Sequence, residues 1–403
     1  MRRPWRAALA LLLAARAEAG TPEAEVGLES LYDRTAATRL NRDDVLGLGR
    51  NQELLRATVH LKQAMGEGRA VFRGFVERSM GARDETHWTV RQAYVQYAWG
   101  SGLSLRAGKQ RIAWGSGFAW NPTNRVEPPK NPFNTGLEQE GSWAARLDWV
   151  PASWAGVVLL AARGETLPGD LPFAVASRRR RTAALRARFL IRDTDLALVF
   201  SGGKNQRTLT GFDLGRGLGG SLSAHAEGSF YRGAELAPAR DAELFFRVAA
   251  GLLYNQGESA FALEYFFNGE GYSREGLDVF LGGLEGSYAQ AVDPRLDDAA
   301  RRQALAAYLA AVGVPYSGGL GLRRHYLHAS WTHGAAQGKW TIAARSLVGL
   351  ADGGVALTPG VVYAPRGDVT LHLDVVLLAG PADSEYRLAP LRGAVQGRVK
   401  VLF

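Results

Sequence analysis

The most constraining feature of the sequence is an alternation of apolar and polar residues that recurs in many segments and is clear in several of them. Residues 369–377 show it, with Val369, Leu371, Leu373, Val375 and Leu377 on one face and Thr370, His372 and Asp374 on the other. A period of two puts successive side chains on opposite faces of a β-strand, whereas a helix spaces its apolar residues three and four apart. The chain is therefore predicted to be all-β.

Eighteen segments carry this pattern, and most are as long as the strands of membrane barrels, which have about 9–11 residues. They are residues 24–33, 52–65, 68–80, 86–99, 102–113, 142–150, 154–163, 182–192, 195–203, 206–214, 218–231, 242–255, 258–268, 323–333, 339–350, 353–364, 368–379 and 394–403. Because 24–33 and 206–214 alternate least regularly, a count of 16 strands stays open. The predicted fold is a transmembrane antiparallel up-and-down β-barrel of about 18 strands, a single domain over residues 20–403.

The connections between these segments alternate in length, with short turns at the even gaps and longer loops at most odd gaps. Barrels with both termini on one side of the membrane show this parity. The long outer loops are predicted at 114–141, 164–181 and 269–322. Within the last, residues 295–312 carry a helical apolar stripe that ends at Gly313, so a short helix is expected over the mouth, in the lumen or on the surface.

The two ends of the chain support export to an outer membrane. Residues 1–19 combine a basic start, an apolar run over 7–15 and the small-residue site Ala17-Glu18-Ala19, as in a cleaved signal peptide. The last segment ends on Phe403, in phase with Val399 and Val401, and a terminal Phe is typical of the signal read by barrel-assembly machinery. We therefore expect a Gram-negative outer-membrane protein in contact with lipid and lipopolysaccharide.

Basic residues dominate the faces assigned to the lumen. The predicted pore-lining residues are Arg56, Lys62, Arg69, Arg73, Arg106, Arg146, Arg186, Arg188, Arg247, Arg324, Arg345, Arg398 and Lys400, against the acidic Glu77, Asp148, Glu227, Glu264 and Asp374. A cation-lined pore favours anions, although the same arginines could brace the wall by pairing with acids. The run Arg178–Arg181 could attract anionic solutes, bind lipopolysaccharide phosphates or be a solvated loop.

Residues 91–115 and the loop that follows resemble porin-like outer-membrane proteins of the alginate-export type and their uncharacterised porin relatives. The matching residues read RQAYVQY at 91–97, LRAGKQRIAWG at 105–115, NPTN at 121–124 and Asn131-Pro132. The resemblance implies passive or facilitated passage of solutes through the barrel. The Pro- and Asn-rich loop 115–134 then becomes a constriction loop or, equally, a rigid outer cap, and its candidate residues are Trp114, Asn121, Pro122, Asn124, Arg125 and Lys130.

No catalytic, cofactor-binding or metal-binding pattern stands out. The chain has no Cys, and His325 and His328 would point to opposite faces of a strand. The leading hypothesis is a porin for small anionic solutes, without cofactor or nucleic-acid partner, in which a homo-oligomer is possible. The alternatives are a scaffolding barrel around a periplasmic partner and a membrane-embedded barrel enzyme.

Overall fold

The computed structural model describes residues 23–45, 51–81, 85–127, 130, 140–165, 179–234, 242–317, 321–335 and 338–403. Eighteen antiparallel strands form one sheet. Their bounds are β1 Glu23–Thr35, β2 Asn51–Met65, β3 Gly68–Gly81, β4 Glu85–Trp99, β5 Leu103–Gln110, β6 Ser142–Ala152, β7 Ala155–Glu165, β8 Arg179–Ile191, β9 Thr194–Lys204, β10 Gln206–Gly219, β11 Leu222–Arg232, β12 Leu244–Gln256, β13 Ser259–Asn268, β14 His325–Ala335, β15 Trp340–Gly349, β16 Gly354–Arg366, β17 Val369–Ala379 and β18 Leu391–Leu402.

The sheet closes on itself, because β1 pairs with both β2 and β18. Glu29 lies opposite Leu54 on one side and opposite Arg398 on the other. Every other strand pairs with its two sequence neighbours. Closure leaves no edge strand with unpaired backbone groups, which is what a sheet requires within a lipid bilayer. The predicted up-and-down barrel of 18 strands is confirmed.

The predicted parity of the connections is also confirmed. The connections after even-numbered strands are short, as at residues 66–67, 192–193 and 257–258, and together they define the turn end of the barrel. The loop end carries the long connections 111–141 and 269–324. The largest difference in a strand boundary is at β10, which continues to Gly219. The turn forms at Gly219 and Gly220, whose φ angles are positive, rather than at the predicted 215–217.

The outer surface is apolar and carries aromatic rings near both ends of the strands. Leu185, Phe200 and Leu263 are exposed in the middle of their strands, where a lipid chain would cover them. Exposed rings at the turn end are Tyr97, Trp99, Trp149, Trp154, Tyr254, Phe261, Trp340 and Phe403, and those at the loop end are Tyr32, Trp88, Trp143, Phe230 and Phe246. Aromatic rings in these two bands are typical of membrane interfaces.

Connection 269–324 contains two helices where the sequence predicted one. Helix α1 spans Arg274–Val292 and α2 spans Asp298–Ser317. The missed α1 begins at Ser273, whose side chain accepts a hydrogen bond from the Gly276 N–H, a standard N-cap. Helix α2 runs past Gly313, so the predicted stop was wrong. None of the helices among the described residues has the length and apolar character needed to cross a membrane.

The helices pack against loops from neighbouring strands. Leu281, Tyr288 and Tyr308 share a buried cluster with Leu40 of the β1–β2 loop and Leu388 of the short helix α3, Glu385–Leu388. Glu285 of α1 accepts hydrogen bonds from Arg39 and Arg42, at 2.7 and 2.9 Å. The hairpin is thus fixed to one side of the barrel mouth.

Some predicted features fall outside the described residues. These are the signal segment 1–19, the prolines Pro128, Pro129 and Pro132, and Arg178 with most of the 164–181 loop.

Candidate functional site

The connection after β5 folds into the lumen. Ile112, Trp114 and Val126 are buried, and they contact the inward-facing Ala144, Leu160, Ala184, Val199 and Leu209 of β6 to β10. Further along the loop, Ala119 and Trp120 are buried against β12 to β16 through Ala249, Phe266, Tyr326, Leu347 and Ala356. The described part of this loop, residues 111–127, therefore lies along one side of the lumen. We call β6–β16 at this level the loop-covered wall.

Two buried glutamates hold the loop to this wall. Glu264 on β13 accepts hydrogen bonds from the backbone N–H groups of Phe118, Ala119 and Trp120, the last two at 3.0 and 3.1 Å. Glu227 on β11 accepts them from the Thr123 N–H and hydroxyl, at 2.8 and 2.6 Å. The carboxylates satisfy loop donors that would otherwise be buried without a partner. They were predicted as pore-lining acids, and the structure shows them as loop anchors.

Two glycines allow the loop to approach these carboxylates. Gly115 has a φ of +89°, and a Cβ built there would lie 2.4 Å from a carboxylate oxygen of Glu227. A Cβ on Gly117 would lie 1.9 Å from the carbonyl oxygen of Trp120. The motif Trp114-Gly115-Ser116-Gly117 was visible in the sequence, but its partners on β11 and β13 are more than a hundred residues away.

Aromatic contacts complete the packing of the loop against the loop-covered wall. The Trp120 ring stacks on Phe266 with centroids 4.7 Å apart. Phe118 meets His225 edge to face at 4.6 Å, and His225 Nε2 lies 2.8 Å from Glu264 Oε2. Because β12 lies between His225 and Glu264, this contact requires Gly251, where a Cβ would lie 2.6 Å from the imidazole. Since His225 and Glu264 also contact the loop, they lie on the lumenal face of the sheet.

The structure brings together all six predicted constriction-loop residues. Trp114 is buried in the loop core and Pro122 is also buried, while Arg125 lies over the Tyr231 ring at 5.2 Å. Asn121 donates to the Trp114 carbonyl, Asn124 to the Ile112 carbonyl and Lys130 to the Gly117 carbonyl. Burial raises the pKa of the loop carboxyl Glu127 and lowers the pKa of Lys130. That the six loop residues narrow a passage through the barrel stays a prediction.

The opposite side of the lumen is polar and basic. Strands β2 to β6 carry Arg56, Arg69, Arg73, Arg106 and Arg146 on their lumenal face, and we call this surface the basic wall. Arg69 and Arg106 both donate to a single neutral acceptor, the side-chain oxygen of Gln96, at 2.9–3.1 Å. Arg91, which was not among the predicted pore-lining residues, lies over Phe75 together with Arg56, both at 4.7 Å.

Many of the predicted pore-lining cations, including two of the basic wall, have acidic partners. The pairs are Arg56 with Glu77 and Glu29, Arg146 with Asp148, Arg186 with Asp213, Arg188 with Asp195, Arg247 with Glu270, Arg345 with Asp374, Arg398 with Glu29 and Lys400 with Glu25. The pattern did not reveal these acids: Glu25, Glu29, Asp195 and Asp213 lie in segments whose lumenal face was not assigned fully, and Glu270 lies in the predicted outer loop 269–322. The basic excess is therefore smaller than predicted.

Three predicted pore-lining residues differ from the rest in burial or in position along the barrel. Arg247 is only 1% exposed, so it lies in the wall rather than on a solvent path. Arg324 precedes β14 instead of lying within it, and its guanidinium donates to the Gly271 carbonyl. Lys62 is exposed near the turn end of β2, in phase with Arg56.

A polar cluster joins three outer loops above the loop-covered wall. Glu385 of α3 accepts hydrogen bonds from the Leu322 N–H at 2.9 Å and from the Tyr326 hydroxyl. Its own N–H donates to Asp352, which lies 3.3 Å from Arg323. Burial raises the pKa of Glu385 to about 7. In the described part of the chain, no group of three His, Asp or Glu side chains could hold a metal ion.

Sequence comparisons find no family model and no curated protein that match this chain. Several solved structures share its fold. OccAB1 of Acinetobacter baumannii has a TM-score of 0.58 and 10% identity, over 95% of this chain and 96% of that chain. The outer membrane protein OprD from Pseudomonas aeruginosa has a TM-score of 0.54 and 12% identity, over 96% and 94%.

A third neighbour carries a different description. Wzi, an outer membrane protein involved in group 1 capsule assembly in Escherichia coli and described as a carbohydrate-binding β-barrel, has a TM-score of 0.54 and 11% identity, over 98% of this chain and 87% of that chain. At such low identity these likenesses establish a shared barrel fold. The 18-stranded barrel of this chain is similar in fold to these outer membrane proteins.

Proposed function

We propose that this chain is an outer-membrane channel that passes small solutes and prefers anions. One observation carries the preference: Arg69 and Arg106 converge on the neutral side-chain oxygen of Gln96. Two guanidinium groups that share an uncharged acceptor keep their charge available to a solute. A basic surface of this kind raises the local concentration of anions and lowers the barrier to their passage.

The lumenal loop favours a channel over the alternatives. Residues 111–127 occupy the lumen along β6–β16, which leaves less room for a folded periplasmic partner. The loop is also fixed by buried carboxylates, so the passage it borders has a defined shape. A rigid constriction next to charged side chains is typical of selective pores.

The neighbours support the membrane assignment. OprD and Wzi are both described as outer membrane proteins, and this chain has the lipid-compatible apolar belt that such a location requires. In this proposal residues 1–19 are the cleaved signal, and the exposed Phe403 at the turn end is the assembly signal.

The test is single-channel recording in planar bilayers, with the reversal potential measured under a KCl gradient. Wild-type protein is expected to conduct and to give the reversal potential of an anion-preferring pore. Arg106→Gln should shift the reversal potential toward cation preference. Arg216→Gln removes one charge from the exposed outer face near the turn end and should leave it unchanged.

Absence of conductance would contradict the channel. A wild-type cation preference would contradict the anion preference while leaving the channel intact. Equal shifts in the two variants would show that the basic wall does not line the path.

A further inference from the structure

Three cations lie side by side on the outer face of β7, β8 and β9. Arg163 is the register partner of Arg181, and Arg181 is the register partner of Lys204. All three are exposed, and they are in phase with the lipid-facing Leu159, Leu185 and Phe200. They therefore form one row across three neighbouring strands, outside the barrel and away from the lumen. We call this row the outer basic row.

Like charges placed directly opposite each other on adjacent strands are unfavourable. Elsewhere along the same register line the charge is compensated: Lys109 on β5 lies opposite Trp143 and forms an ion pair with Glu140. Among the side chains that the structure describes, no acidic group pairs with Arg163, Arg181 or Lys204. An anion from outside the chain would remove the repulsion.

The row lies at the level of a membrane interface. Arg163 is opposite Trp143, which is 56% exposed and belongs to the aromatic band at the loop end. Trp rings in such bands lie among lipid headgroups. Four residues further along β8, Leu185 lies on the apolar belt, about 13 Å from Arg181 at the usual rise of a strand. The cations therefore face the headgroup layer and not the hydrocarbon.

We propose that Arg163, Arg181 and Lys204 form a binding site for the phosphate of a lipid headgroup, and that its ligand is a phosphorylated glycolipid of the lipid A class in the outer leaflet. A guanidinium donates two parallel hydrogen bonds to a phosphate, and the Lys204 ammonium adds a third cation on the same side. The site rests on the proposed outer-membrane location, but it does not depend on conduction through the lumen.

The experiment measures lipid binding to the full barrel in detergent, by native mass spectrometry and by the midpoint of thermal unfolding. The probes are bis-phosphorylated lipid A, the same lipid A without phosphates, phosphatidylglycerol and inorganic phosphate. The test variant is R163Q/R181Q/K204Q. The matched control is R192Q/R216Q/R366Q, which removes the same charge from exposed positions near the turn end.

We expect wild-type protein and the control to retain phosphorylated lipid A and to unfold at a higher temperature with it. The test variant should bind it more weakly by about tenfold or more, because each basic residue near an anionic headgroup adds to the attraction. Equal binding of phosphate-free lipid A, an effect of inorganic phosphate alone, or equal retention of phosphatidylglycerol would each overturn the proposal. So would a test variant that binds as well as the control.

Single-channel recording distinguishes the lipid site from the channel function. The variant R163Q/R181Q/K204Q should show the wild-type reversal potential, because its changes lie outside the lumen. A barrel that binds lipid A through the row but does not conduct would overturn the channel and keep the lipid site.

Discussion

The two sides of the lumen differ in the residues they present and in what their charged groups bind. The loop-covered wall presents apolar residues such as Ala184 and Leu209, and its buried carboxylates Glu227 and Glu264 hold the loop. The basic wall presents arginines that solvent reaches, with ion pairs such as Arg56–Glu77 among them. Groups removed from water must be satisfied within the protein, whereas solvated charges remain available to a ligand. The first wall should therefore determine stability and the second selectivity.

The largest effect is expected at Glu264. Glu264→Ala removes the acceptor for three backbone N–H groups, of which those of Ala119 and Trp120 are buried and that of Phe118 is partly buried. Each unsatisfied donor costs about 1–3 kcal/mol, so the variant should lose about 3 kcal/mol or more of unfolding free energy. Urea unfolding in lipid vesicles, followed by Trp fluorescence, measures the loss.

The control for this change is Glu77→Ala on the basic wall. Its carboxylate is half-buried and paired with Arg56, so the loss should be about 1 kcal/mol or less. If the two variants lost equal stability, the proposed difference between the walls would be wrong. A loosened loop should also make the single-channel current of Glu264→Ala noisier than that of Glu77→Ala.

A smaller effect is expected at Gly117. In Gly117→Ala the new Cβ would lie 1.9 Å from the Trp120 carbonyl oxygen, so the loop must move away from Glu264. Forced shifts in a packed region cost about 1–3 kcal/mol. Gly217→Ala is the matched strand control, since nothing lies within 4 Å of its Cβ. If Gly117→Ala were as stable as the wild type, the loop would not be held closely against Glu264.

Glu264 and the loop that it holds show which features can be predicted from the sequence and which cannot. The alternation at 369–377 predicted the barrel because strand periodicity is local, and the loop 115–134 was identified by its own prolines and asparagines. The pairing of Glu264 with Phe118–Trp120 joins segments about 145 residues apart, and nothing local distinguishes an anchoring carboxylate from one lining a pore. For the same reason the ion pair of Arg186 with Asp213 was missed, and the basic excess was overestimated.

On the basic wall, Arg56→Gln should alter selectivity more than stability. The change leaves Glu29 and Glu77 without this cation and makes the wall more acidic. Because the pair is reached by solvent, the cost in unfolding free energy should be about 1 kcal/mol or less. The reversal potential under a KCl gradient should shift toward cations. A large stability loss without a shift would reverse the roles assigned to the two walls.

A pH-dependent effect is expected at Glu385, at the outer end of the loop-covered wall. Its pKa is raised by burial from 4.5 to about 7, against the lowering effect of its bonds from Tyr326 and Leu322. A carboxyl whose pKa is higher in the folded state favours folding while it is protonated. That contribution is fully present below about pH 4.5 and is lost as the pH rises through about 7.

Glu385→Gln cannot ionise, so the difference in unfolding midpoint between wild type and variant should change across this window and level off above it. Thermal unfolding at pH 4, 5, 6, 7 and 8 measures the difference. Asp383→Asn is the control, because Asp383 is an exposed carboxyl two residues away. A wild-type profile parallel to that of Glu385→Gln would mean that Glu385 ionises as an ordinary surface carboxyl. The cluster with Tyr326 and Asp352 would then contribute little to closing the outer end of this wall.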